Sequence, residues 1–210
     1  MNIPKKILWL PMAFCLYLSV FHSASAQRRF DASLFAGLNM CQIDGDQAGN
    51  YSHPGLRTGV GTSFSLSSDS DSPWRMVVEL AYTAKGSYNK EYNTSLDAGY
   101  VELPLLLSYT TLERRLRIAA GVAPAVKVRA RFKNGSDVDS HWDDFFSVVD
   151  WLPLTVTLRY LVTDHLGLEG RFQYSALSVA DDAPSGTYFL LRSNKGLFHN
   201  LVNIGLTYTF

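Results

Sequence analysis

His165-Leu166-Gly167-Leu168-Glu169-Gly170-Arg171-Phe172-Gln173-Tyr174-Ser175-Ala176 is the stretch that decides the fold. Leu166, Leu168, Gly170, Phe172, Tyr174 and Ala176 fall on one side of an extended chain. His165, Gly167, Glu169, Arg171, Gln173 and Ser175 fall on the other. A period of two marks a strand with one apolar and one polar face.

The same period recurs along the chain. Val202, Ile204, Leu206, Tyr208 and Phe210 oppose Asn203, Gly205, Thr207 and Thr209. Leu56, Thr58, Val60, Thr62, Phe64 and Leu66 oppose Arg57, Gly59, Gly61, Ser63 and Ser65. Trp74, Met76, Val78, Leu80 and Tyr82 oppose Arg75, Val77, Glu79, Ala81 and Thr83. With further candidates near 29–40, 99–110, 115–129 and 147–161, the chain reads as about eight strands. Most reach the roughly 9–11 residues that a tilted membrane-crossing strand needs.

The N-terminal residues indicate export. Lys5 and Lys6 precede an apolar run from Ile7 to Phe21, and Ala24-Ser25-Ala26 then supplies small residues for cleavage before Gln27. That layout is a secretory leader, residues 1–26, ahead of one domain, 27–210. The whole chain carries 19 basic and 19 acidic residues, so losing Lys5 and Lys6 leaves the domain at about −2. Such a balance offers nothing to nucleic acid. Cys41 is the one cysteine of the domain, which excludes an internal disulfide framework. After residue 26 no apolar run reaches about 18 residues, so any membrane crossing must be made by a closed sheet.

Alternation alone does not say which face looks inward. A soluble calycin-type barrel would show its charges to water, and a membrane barrel would enclose them. Connector lengths favour the membrane. The long connectors, Cys41–Pro54, Gly86–Ala98, Ala130–Phe146 and Leu177–Phe198, alternate with short turns at Ser67–Pro73, Thr110–Arg114 and Thr163-Asp164. Short periplasmic turns and longer extracellular loops are the habit of outer-membrane barrels. Phe30, Trp74, Tyr109, Tyr160 and Phe210 then fall near the short-turn end, and Tyr82, Phe132, Phe145, Phe146 and Tyr174 near the other, as two aromatic girdles. Pro104, Pro124 and Pro153 interrupt strands, where bulges or rim positions are expected because proline has no donor for the ladder.

Tyr100-Val101-Glu102-Leu103-Pro104-Leu105-Leu106-Leu107 resembles the strand that marks the PorT-like outer-membrane barrel family of Bacteroidetes. Gly37-Leu38-Asn39, Gly55-Leu56-Arg57-Thr58-Gly59 and Glu79–Ser87 are similar to the family's first three strands, and Leu166–Tyr174 to its penultimate one. Asp150-Trp151-Leu152-Pro153-Leu154-Thr155 departs from the family, whose corresponding strand is richer in glycine. The resemblance covers about residues 30 to 210. It implies a closed antiparallel up-and-down transmembrane β-barrel. It also names a secretion or envelope-assembly role, as in the type IX system, as one possible activity.

A barrel of about eight strands has an interior just wide enough for side chains to fill. The polar faces would therefore bring Arg57, Arg75, Glu79, Glu102, Arg117, Arg159, Glu169 and Arg171 together as a lumen charge network. Buried charges persist only when paired, and the expectation is a plugged barrel rather than an ion path. Tyr208 and Phe210 resemble the terminal signal read by the outer-membrane insertion machinery.

Catalytic chemistry finds little footing. Asp139, Ser140, His141, Asp143 and Asp144 cluster in a long loop, where carboxylates and imidazole could hold a metal or a nucleophile, but a solvated polar loop is the favoured reading, since adjacent residues alternate direction rather than converge. Asp44-Gly45-Asp46 is a calcium-loop fragment without its later Glu. Gly59 and Gly61 continue as strand rather than opening a helix, so they are not a phosphate loop. Loop aromatics, Tyr51, Tyr88, Tyr92, Trp142, Tyr188 and Phe189 among them, offer an interaction surface. The expectation is a non-enzymatic outer-membrane protein without cofactor or metal. Its partners would be membrane lipid, the insertion machinery, and secretion or envelope proteins. A rim-sited hydrolase or lipid-modifying enzyme stands as the alternative.

Overall fold

The computed structural model describes residues 30–46, 51–67, 72–111, 115–135, 137–139, 147–180 and 196–210. The expected leader and the loop residues Ser140, His141, Trp142, Asp143, Asp144, Phe145, Phe146, Tyr188 and Phe189 lie outside the described residues.

Twelve strand segments build the wall. They are β1 (Phe30–Asp44), β2 (His53–Ser65), β3 (Trp74–Asn89), β4 (Thr94–Glu102), β5 (Leu105–Thr111) and β6 (Leu116–Val122). β7 (Ala125–Asn134), β8 (Asp137–Asp139), β9 (Val149–Asp150), β10 (Pro153–Leu161), β11 (Leu166–Ser175) and β12 (Phe198–Thr209) complete the set. β4 with β5, β6 with β7, and β9 with β10 each form one stave; with the three-residue β8, which pairs only with β7, set apart, the staves number eight.

All pairings are antiparallel, and β12 returns to β1 over twelve residue pairs, from Ser33↔Thr209 to Asp44↔Phe198. The circuit is therefore closed. A closed sheet leaves no row of unpaired amides facing hydrocarbon, which is why only this form of sheet spans a bilayer.

The three prolines sit side by side on the fourth, fifth and sixth staves, at the joints between segments. Their carbonyls carry the ladder past the missing donors. Glu79 N–H donates to Pro104 O at 3.0 Å, Leu103 N–H to Pro124 O at 2.9 Å, and Ala123 N–H to Pro153 O at 2.9 Å. In-out alternation continues through Pro104 and Pro124. At Trp151-Leu152 two consecutive residues are exposed and the parity slips. A second irregularity, opposite Gly99/Tyr100, lies in β7.

Two expectations need correction. Gly86–Ala98 is not a long loop: β3 and β4 run on as a hairpin closed by four residues, with Asn93 at φ 50°, a conformation that asparagine tolerates. Tyr174 and Phe132 do not belong to the upper girdle. Tyr174 is buried and stacks on Phe198, and Phe132 packs against an interior apolar cluster. The lower girdle is present: Phe30, Trp74, Tyr109, Tyr160, Tyr208 and Phe210 are all exposed on the wall, with Trp74 and Tyr109 rings 4.9 Å apart.

Candidate functional site

The wall is apolar outside and charged inside. Leu38, Leu80, Val156, Leu168 and Ile204 are among the large apolar side chains left exposed, Leu38 at 70%. Arg57, Glu79, Glu102, Glu169 and Arg171 are each exposed by 2% or less. Such charges persist only because they meet one another.

The middle of the lumen holds one nest. Three guanidiniums, Arg57, Arg159 and Arg171, surround the carboxylates of Glu79 and Glu169. Arg171 reaches Glu79 at 2.7 Å and Glu169 at 3.2 Å, while Arg57 reaches Glu169 at 3.5 Å. Arg57 also lies over the Phe35 ring, 4.1 Å from its centroid. Gly59 makes room for that ring, since a Cβ there would stand 2.7 Å from Phe35.

Above it lies a second nest that the sequence reading missed. Lys85 Nζ sits 2.8 Å from Glu102 and 3.7 Å from Asp150. Thr83 donates to Glu102 at 2.8 Å, Gln173 donates to it at 3.0 Å, and Ser175 donates to Asp150. Lys85 continues the inward run Arg75, Val77, Glu79, Ala81, Thr83, a signal present in the segment Glu79–Ser87. Asp150 was hidden by the parity slip at Trp151-Leu152. The two nests together balance: four cations, Arg57, Arg159, Arg171 and Lys85, face four carboxylates, Glu79, Glu169, Glu102 and Asp150.

The remaining expected charges lie toward the short-turn end. Arg75 pairs with Asp31 at 2.7 Å and donates to Ser63. Arg117 lines a small interior pocket with Glu79, Thr157 and Arg159, and has no ion pair among the described residues. That pocket holds about 10 Å³, room for roughly one water molecule. Tyr208 and Phe210 stand outside, edge to face, beside the closing seam, where Phe210 N–H donates to Ala32 O.

The long-loop end is stoppered by apolar side chains. Val179, Ala180 and Leu197, from the two stems of the last loop, pack on Ile43, Leu96, Ala98, Tyr100 and Ala130. His199 Nε2 and the Tyr100 hydroxyl lie 3.0 Å apart beneath them. On the outer side of this rim His53 Nε2 and Lys133 Nζ hold Asp97, at 3.1 Å and 2.9 Å. Asp97 stands three residues below the tip of the β3–β4 hairpin, above the apolar wall. The His53 hydrogen bond, helped by Lys133, holds its carboxyl down to about 2. Among the described residues no group of three His, Cys, Asp or Glu is arranged to hold a metal ion.

No curated protein matches this sequence. Among solved structures, Ail, the attachment invasion locus protein of Yersinia pestis, is 12% identical with a TM-score of 0.51, covering 87% of this chain and 99% of Ail. Ail has been solved both alone and with the heparin analogue sucrose octasulfate. Neisserial surface protein A is 13% identical at a TM-score of 0.48, over 86% of this chain and 97% of its own. At these identities the likeness to Ail concerns the fold alone. The family model for the outer membrane protein beta-barrel domain matches residues 22–180, about three-quarters of the sequence. Closed eight-stave wall, apolar exterior and family match together place the protein in the outer membrane, and the chain belongs to the outer membrane protein beta-barrel domain family.

Proposed function

We propose that this protein is a plugged, non-conducting and non-catalytic barrel that acts through its extracellular end. One observation carries the reading. The lumen is crossed by two balanced ionic nests and stoppered above by Val179, Ala180 and Leu197. What remains for partners is the rim, where Tyr92 stands 68% exposed at the tip of the β3–β4 hairpin.

Planar-bilayer recording of the purified full chain tests the plug. Little or no stable conductance is expected, and large uniform channels would overturn the proposal. Hydrolysis of a phospholipid or fatty-acyl ester, lost in His141→Ala, would replace it with the rim-sited enzyme.

The likeness to the PorT-like group has a structural explanation. Tyr100, Glu102, Pro104 and Leu106 of its marker strand face inward, and Val101, Leu103, Leu105 and Leu107 face lipid. The motif is thus spent on lumen packing and membrane contact. A secretion or envelope-assembly role would need its own surface, and co-purification of secretion components with the full chain would establish it.

A further inference from the structure

The outer wall of the fifth stave changes character abruptly. From Leu116 upward its outward positions are apolar: Ile118, Ala120, Val122, Pro124, Val126 and Val128. Arg129, Arg131 and Lys133 follow, all exposed. Twelve residue steps of about 3.3 Å, tilted by about 40°, raise the chain by about 30 Å. The apolar band of such barrels is about 25 Å tall. The three cations therefore begin where hydrocarbon ends.

The girdles mark the same height. Trp151, exposed on the neighbouring stave, lies nine residues above Tyr160, a rise of about 23 Å by the same measure. Tyr82 lies over Gly99, where a Cβ would stand 2.7 Å from its hydroxyl and 3.2 Å from Arg129 Cγ. The Tyr82 ring and the Arg129 stem thus pack side by side over Gly99. A tyrosine with an apolar body and a polar tip belongs at the membrane interface.

A break in the sheet is what turns these cations outward. Inward positions of the fifth stave are odd from Arg117 through Ala125. The register shifts opposite Gly99/Tyr100, leaving Val128 and Arg129 both exposed and turning Ala130 and Phe132 inward. Regular pairing would have aimed Arg129, Arg131 and Lys133 into the lumen. Bulges re-aim side chains in this way. Asp97, in register with Arg131 and 2.9 Å from Lys133, is the carboxylate that the neighbouring strand presents to this surface.

We infer that Arg129, Arg131 and Lys133 form a docking stripe for the phosphorylated headgroup of an outer-leaflet lipid. Guanidinium groups bind phosphate oxygens through paired N–H donors, and their stems lie along apolar surface while the heads reach the headgroup layer. Lipid is the chosen occupant because the stripe stands at headgroup height directly above a lipid-facing wall.

The test uses the full chain in detergent micelles doped with diphosphoryl lipid A or, separately, phosphatidylcholine, with retained lipid counted by native mass spectrometry. Wild type should retain lipid A over phosphatidylcholine, and raised salt should weaken that retention. Each cation near an anionic membrane surface is worth about fivefold, so the triple variant Arg129→Gln, Arg131→Gln, Lys133→Gln should lose roughly a hundredfold. Arg115→Gln, at the opposite rim, should retain lipid A as wild type does. Equal retention of the two lipids by wild type, equal loss in Arg115→Gln, or unchanged retention in the triple variant would overturn the inference. So would full displacement of lipid A by inorganic phosphate alone. Should the triple variant fail to fold, the charge-keeping Arg129→Lys, Arg131→Lys variant must still prefer lipid A over phosphatidylcholine.

Discussion

The lumen is filled in two unlike ways. Its middle is ionic, with Arg57, Arg159 and Arg171 locked around Glu79 and Glu169, all supplied by the wall itself. Its extracellular end is apolar, with Ile43, Leu96 and Tyr100 from the wall closed over by Val179, Ala180 and Leu197 from loop stems. The difference teaches where stability and adaptability reside. These five partners come from four different staves, so the nest ties the barrel together across its axis. The stopper hangs on one loop, so it can loosen without opening the wall.

Breaking the nest should have the largest effect. Glu79→Ala leaves three guanidiniums around one carboxylate, and removing one partner of a buried pair costs about 3–5 kcal/mol. The midpoint of urea unfolding in micelles should fall accordingly, and unfolding should remain a single transition. Pairing the change as Arg57→Met with Glu79→Leu should recover much of the loss, because a charge pair replaced by apolar groups leaves less uncompensated charge. A double variant no better than Glu79→Ala would show that the nest does not work as a pairwise unit.

Breaking the stopper should cost less and act locally. Leu197→Ala removes a side chain packed on Leu96 and Ala98, at about 2–5 kcal/mol for a buried leucine, with the lower end expected because the loop can settle. Hydrogen exchange should quicken in residues 178–180 and 196–198 and stay slow in β10 and β11. Loss of protection throughout the barrel would erase the contrast between the two regions.

The smallest effect sharpens the comparison from outside the lumen. Asp97 is held by His53 and Lys133 at the outer rim, partly exposed to water. Its folded carboxyl titrates at about 2, below the ordinary value of 3.8. The stability it contributes is therefore present above about pH 4 and is lost as pH falls from 4 through 2. Exposed pairs are worth about 0–1 kcal/mol, so only the β3–β4 hairpin should respond. Hydrogen exchange of Ser95–Ala98 across that window measures it, and Asp97→Asn should abolish the pH dependence.

The sequence showed the staves well because alternation depends on neighbours two residues apart, and it showed the sidedness and the short-turn girdle because long connectors alternate with short turns. It missed Lys85 and Asp150 for separate reasons. Gly86–Ala98 is rich in polar and small residues, which hides how far the third strand's alternation runs past Thr83, although Lys85, within Glu79–Ser87, keeps its parity. Asp150 stands beyond a slip at Trp151-Leu152, and nothing local announces on which side of such a slip a residue will fall. The assignment of Tyr174 and Phe132 to the girdle failed likewise: parity says which face a residue occupies, not whether a loop stem or a bulge covers or reverses it.

By itself the amino-acid order determined an antiparallel wall with greasy and charged faces, because alternation is a property of the extended backbone. Tertiary structure alone decided which arginine meets which glutamate, how the last loop stoppers the mouth, and that Arg129, Arg131 and Lys133 point out rather than in. Those outcomes depend on barrel closure, strand stagger and two breaks in the ladder. Each joins residues far apart in the chain, and no local period records them.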